Sequence, residues 1–150
     1  MEKDRPRAAK DGWDVSGLLK AADIRPTEHR IKLLDYLLEM ERPLSHAEID
    51  AKFPDMDRVT IYRTLSLFVE RGLAHQVQGP DGVWRFCAHS AEGGSCPGDH
   101  PHFLCRSCGR MFCLPDERMP KVSVPDGYAV AGKQFVVYGT CGECLRKNGR

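Results

Sequence analysis

The chain has 150 residues, with 22 Lys+Arg against 21 Asp+Glu and a formal net charge of +1. That length suits one domain or two small ones, and 41% apolar with 29% charged residues excludes wholesale disorder. Near-neutrality gives no global argument for a polyanionic partner, and seven Cys, an odd number, exclude a fully paired disulfide framework within one chain.

The first residues are charged and lack an apolar signal core, and no apolar run approaches the ~20 residues of a transmembrane helix. The expectation is a soluble, cytoplasmic protein. In a reducing compartment, clustered Cys and His are metal ligands or redox groups rather than staples.

In chain order, Val15 to Ala22 predicts a short helix. Thr27 is placed to cap the next, whose apolar stripe is Ile31, Leu34, Leu37 and Leu38, and Pro43 ends it. Ser45-His46-Ala47-Glu48 is a capping-box pattern and predicts a further helix. Asp57 can cap the next one, and Gly72 sits where a terminating glycine belongs. On that helix Ile61, Leu65 and Phe68 share one face, Val59, Arg63 and Ser66 point away, and Arg58 and Tyr62 flank it. After Gly72 the period changes. Residues 75–78 and 83–86 read as two strands around Gly79-Pro80-Asp81-Gly82. Helices followed by this hairpin predict a winged helix-turn-helix.

All seven Cys fall in residues 87–150, so two domains are expected. Residues 1–83 form the winged helix, 84–90 the hinge, and 91–150 a small α/β domain, giving an α+β chain. The second domain is read as short strands at Phe103 to Cys105, Arg110 to Leu114 and Lys133 to Tyr138. A short helix is expected near 116–123, and His89 to Asp99 is read as loop.

Cys105-x-x-Cys108 and Cys141-x-x-Cys144 predict a closed tetrahedral zinc site, since each CxxC turn presents two sulfurs to one ion. Redox CxxC motifs are the weaker alternative, because the βαβ setting they use is missing. Three Cys and six His remain. His100 and His102, two apart in extended chain, share a face. His75 opens the wing hairpin and Cys87 closes it. These four form a candidate site of three nitrogens and one sulfur across the hinge, a set that suits zinc. The plain alternative, unconnected surface histidines, stays open on spacing alone. Cys113 reads as a small buried residue or an extra ligand, Cys96 as a loop thiol, and His89 as a spare ligand. His29 and His46 read as surface residues.

Several segments, taken together, resemble the ferric uptake regulator superfamily of bacterial metal-responsive repressors. They are Thr27-Glu-His-Arg30, Leu44-Ser-His-Ala-Glu-Ile49, Val59-Thr-Ile-Tyr-Arg-Thr-Leu65, Arg71-Gly-Leu73, His100-Pro-His-Phe-Leu-Cys-Arg-Ser-Cys-Gly109 and Tyr138-Gly-Thr-Cys-Gly-Glu-Cys144. The resemblance implies a cytoplasmic homodimer whose affinity for double-stranded operator DNA is switched on by a regulatory metal. It implies no enzymatic activity, no small-molecule substrate and no membrane. Tyr62 and Arg63 would read bases, while Thr60, Arg58 and Arg30 would contact or flank the backbone. The iron-sensing branch uses a Glu where this chain has Cys87, and a His where it has Pro43. The zinc uptake regulator branch has Cys at the first position and His or Asp at the position of His75. The resemblance therefore implies two zinc ions per subunit, one structural and one regulatory at His75, Cys87, His100 and His102. Some members of that branch place a carboxylate ligand where Cys113 stands. The family's additional metal site draws on residues interleaved with the H-x-H; here these are Asp99 and Pro101, and Pro101 cannot ligate. The insert 91–98 has no counterpart role.

Iron, manganese or peroxide sensing within the superfamily is the alternative. A zinc deaminase or thiol redox catalyst is the rival from another class. The deaminase needs H-x-E and P-C-x-x-C, neither CxxC is preceded by Pro, and His89 has Glu at +3. Residues 1–80 hold 13 Lys+Arg and 14 Asp+Glu, so DNA binding would rest on a few placed arginines.

Overall fold

The structure, a computed structural model, describes residues 14–88 and 100–149. The element order is α1 (Val15–Ala21), α2 (Glu28–Met40), β1 (Leu44–Ser45), α3 (His46–Lys52), α4 (Arg58–Glu70), β2 (Ala74–Gln78) and β3 (Trp84–Ala88), then β4 (His102–Cys105), β5 (Met111–Cys113), β6 (Val136–Gly139) and α5 (Gly142–Lys147). The first sheet is ordered β1-β3-β2 and antiparallel. The second is β5-β4-β6, with β4 parallel to β6. This is the expected α+β winged helix joined to a second small domain. The wing strand β3 takes in residues 84–88, the first five of the stretch read as hinge.

Local chemistry explains the helix ends. Ser45 Oγ accepts from Glu48 N, and Glu48 Oε2 accepts from Ser45 N, a complete capping box. Asp57 accepts from Thr60 N to start α4. Gly72, at φ 77°, ends it, with Leu73 N donating to Phe68 O and Gly72 N to Val69 O. That paired closure needs a left-handed residue, which glycine adopts without a Cβ clash. Thr27 does stand at the start of α2, but its hydroxyl makes no capping bond and is buried without a partner. The α2 C-terminus turns through Glu41, at φ 53°, two residues before Pro43.

Ile61, Leu65 and Phe68 of α4 are fully buried against Leu33, Leu34, Leu37 and Leu38 of α2, with Leu19, Leu44, Ile49 and Phe86 around them. Removing each such side chain from water contributes roughly 1.5–3 kcal/mol, so the four helices α1–α4 and the wing share one core. The helix expected near 116–123 is absent. Pro115, Pro120 and Pro125 remove backbone donors and disfavour helical conformation in the preceding residues, leaving a single turn, Glu117 N to Leu114 O. Helix α5, which carries Cys144, was not expected from periodicity, because six residues are too few to show a stripe.

The two domains meet along the wing. Val77 of β2 packs with Leu104, Met111 and Val136 of the second sheet. Gln78 N donates to Gln134 Oε1 at 2.8 Å. Arg85 of β3, whose side chain is only 4% exposed, makes two bonds to Asp81 at 2.9 and 3.1 Å and donates to Gly109 O at 3.0 Å. The wing turn is thereby tied to the loop between Cys108 and β5.

Candidate metal centres and nucleic-acid face

Cys105 closes β4, Cys108 lies in the turn that follows, Cys141 precedes α5 and Cys144 sits on its first turn. Gly109 completes the first turn at φ 75°. The four Sγ atoms lie within 4.8 Å of one another. Cys105–Cys144 is 3.8 Å and Cys108–Cys141 is 4.0 Å. Tetrahedral zinc with bonds of about 2.3 Å has sulfur–sulfur edges of about 3.8 Å, so the donor set fits that ion.

The electrostatics fit as well. Burial pushes the Cys105 thiol up, but N–H bonds donated by Cys108 and Cys141 outweigh it and bring the group down to about 6. Burial also opposes ionisation of Cys108, and the Arg110 guanidinium, 3.3 Å from its sulfur, reverses that. Arg110 is held in turn by Glu143 at 2.7 Å. The Cys144 thiol is pushed up to about 12, first by Cys141 and then by burial and Cys105. Four crowded sulfurs resist becoming thiolates together unless a divalent cation compensates them. Arg110 and Glu143 were not expected as partners, since nothing in their spacing links them.

The second centre lies where the sheets face each other. His75 on β2, His100 and His102 offer ring nitrogens within 4.8 Å of one another. His75 Nε2 and His102 Nε2 are 3.4 Å apart, and the His100 and His102 rings are 4.6 Å apart. Three imidazoles from both domains thus converge, and His100 and His102 are buried. Cys87 is fully buried directly across the strand pair from His75. It is not one of that three-residue group, and its Sγ lies 3.5 Å from Cys113 Sγ. Cys113 is in turn the cross-strand partner of His102. Cys96, His89 and Asp99 lie outside the described residues.

On α4, Tyr62 is 59% exposed, and Arg58, Val59 and Arg63 are exposed beside it. Arg58 Nε donates to Asp50 Oδ2 at 3.0 Å, and His46 Nδ1 sits 3.2 Å from the same oxygen. The His46 ring lies 5.9 Å from that of Tyr62, so His46 is half-buried on the same face. Thr60 gives its hydroxyl to Asp57 at 3.3 Å, and Arg30 is half-buried with its guanidinium on Arg25 O at 2.9 Å. Asp50, which joins α3 to α4, carries no motif and was missed by sequence reasoning.

A family model described as the ferric uptake regulator family matches residues 21–125. The peroxide operon regulator of Bacillus subtilis (strain 168) is 31% identical over 148 residues, 93% of this chain and 97% of that protein. The ferric uptake regulator of Vibrio cholerae superposes with a TM-score of 0.60 at 20% identity, covering 85% of this chain and all of that one. A zinc uptake regulator solved with zinc and DNA superposes with a TM-score of 0.59 at 16% identity, covering 92% and 99%.

Proposed function

The chain belongs to the ferric uptake regulator family, DNA-binding transcriptional regulators rather than enzymes, and from that premise we propose that it is a zinc-responsive repressor of zinc uptake and homeostasis genes. The observation that carries the reading is the convergence of His75, from the wing, with His100 and His102, from the second domain. Nitrogen donors with a nearby thiol, and no carboxylate in the group among the described residues, suit zinc better than iron or manganese, which usually bring more oxygen ligands.

In this reading the winged helix, which β3 extends to Ala88, binds DNA, the stretch after it connects, and the remainder to residue 150 dimerises and holds metal. Cys105, Cys108, Cys141 and Cys144 hold a structural zinc. His75, Cys87, His100 and His102 hold the regulatory one. When bound there, zinc supplies coordinate bonds that join groups of the two domains. His75 fixes the wing end of that joint, and His100 and His102 fix the second-sheet end. Cys87, directly across the strand pair from His75, would complete the set by turning its sulfur from Cys113 toward the imidazoles. The joint fixes the α4 helices of a homodimer at the spacing of successive half-sites on double-stranded operator DNA. Arg63 and Tyr62 read base edges, while Arg58, Thr60 and Arg30 flank the backbone. Turning a 1:99 population of the binding-competent form into 99:1 requires a preference of about 5.5 kcal/mol.

A second reading, peroxide, iron or manganese sensing, is favoured by the 31% identity to the peroxide operon regulator. One titration separates them. Zinc, iron(II) and manganese(II) are added to chelator-treated full-length protein, and metal stoichiometry and operator affinity are measured together. Zinc alone should raise affinity, at the second equivalent per subunit, and Cys87→Ser should lose that response while keeping the structural zinc. Activation by iron or manganese at lower free metal, or a wild-type response from Cys87→Ser, overturns the zinc assignment.

A further inference from the structure

We propose that Cys87 and Cys113 are an oxidisable dithiol, a modification site for hydroperoxides that joins the two domains covalently. Their sulfurs are 3.5 Å apart, one on β3 of the first sheet and the other on β5 of the second. A disulfide needs about 2.05 Å. Closing the difference of about 1.5 Å is within the reach of a χ1 adjustment of one or both side chains. No other described pair of sulfurs from the two domains comes this close, since the remaining sulfur–sulfur contacts among the described residues lie within the four-Cys cluster. The alignment is set by backbone pairing on both sides. Cys87 is opposite His75 and Cys113 is opposite His102, so the His–His contact and the Cys–Cys contact are two rungs across one seam.

The two sulfurs differ in access. Cys113 is half-buried and Cys87 is fully buried. An accessible thiol with a neighbouring resolving thiol is the arrangement that oxidises reversibly. The Cys113 sulfur attacks one oxygen of ROOH, forming an S–O bond and breaking O–O. The thiol proton goes to the departing alkoxide, giving ROH and a sulfenic acid. The Cys87 sulfur then attacks that sulfur, forming S–S and expelling hydroxide, which leaves as water with the Cys87 proton. Two thiols lose two electrons in total, and the peroxide is reduced to ROH and water. The product fastens β3 to β5 and withdraws Cys87 from metal binding. That last consequence rests on the zinc reading above, whereas the disulfide itself rests on the seam alone.

The test uses full-length protein carrying its structural zinc, treated with a mild chelator to clear the hinge, then with hydrogen peroxide. The readout is peptide mapping by mass spectrometry without reduction. A peptide linking Cys87 to Cys113, lost on treatment with dithiothreitol, is expected in wild type and in Cys96→Ser and absent in Cys113→Ser. Re-adding one equivalent of zinc should slow its formation at least tenfold. Absence of the linked peptide in wild type, or linkage of either residue to Cys96 instead, overturns the proposal whether or not Cys113→Ser folds. Equal rates with and without zinc leave the dithiol standing and overturn the role of Cys87 as a zinc ligand.

Discussion

The Arg85–Asp81 pair offers an asymmetric test of how the wing is held. Arg85 is 4% exposed at its side chain and Asp81 is 38% exposed. Asp81→Ala leaves a buried guanidinium with only carbonyl partners, Val83 O and Gly109 O, and an Nε already lacking a partner. Breaking a buried pair in this way costs about 3–5 kcal/mol. Solvent at the Asp81 end screens the interaction and brings the expectation to about 3 kcal/mol. Arg85→Met removes the buried charge, keeps the apolar stem, and leaves Asp81 to be hydrated. Its cost is mainly the bond to Gly109 O, about 1 kcal/mol. In a chain of this size each kcal/mol moves the melting midpoint by about 2–4 °C. Asp81→Ala should therefore lower it by about 6–12 °C and Arg85→Met by about 2–4 °C, read by circular dichroism on zinc-loaded protein. An equal or larger loss for Arg85→Met would refute the argument, because it would mean the charge is solvated through the wing turn. The carboxyl of Asp81 is held below its usual range, chiefly by its bonds to Arg85. A depressed carboxyl contributes stability present above the unfolded value of about 3.9 and lost as pH falls through the folded one, so wild type and Asp81→Ala should converge in strong acid.

Ser45→Ala removes the hydroxyl half of the α3 capping box and should cost about 1 kcal/mol in denaturant unfolding, while Ser45→Asp should recover most of it. In the metal-free protein the Cys105 thiolate, stabilised to about 6, is present above that pH and is lost as pH falls through it. Bound zinc holds the thiolate to lower pH still, so proton-driven zinc release from the four-Cys cluster, followed with a colorimetric chelator, should begin only below about pH 6, and release of the metal already at about pH 7–8 would contradict the assignment. If Arg58 meets phosphate and Arg63 meets a base, Arg58→Ala should weaken all sequences alike and reduce the salt slope by about 1, whereas Arg63→Ala should cost about 1–3 kcal/mol and relax specificity at one base pair. Competition gel shifts at two salt concentrations separate these outcomes.

Read alone, the chain determined those features whose chemistry is local. The capping box at Ser45–Glu48, the Asp57 cap and the Gly72 closure are written in neighbouring residues, and so is the apolar face Ile61, Leu65 and Phe68 of α4. The two CxxC pairs declared a four-sulfur site because each pair is close in sequence. The helix expected near 116–123 did not form, since Pro115, Pro120 and Pro125 remove backbone donors and turn the preceding residues away from helical conformation. What only the tertiary structure decided depends on the packing of one sheet against the other. Sequence spacing could nominate His75, His100 and His102 but not place their nitrogens together, and it tied Cys87 to His75 without revealing Cys113 at 3.5 Å. Nor did any motif join Asp50 to Arg58, Arg110 to Cys108, or Arg85 to Gly109. The reason is physical. Caps and turns close within one or a few residues through backbone geometry. Contacts between β2–β3 and β4–β5 depend on how Val77 seats against Leu104 and Met111, and that seating is settled only when both sheets exist.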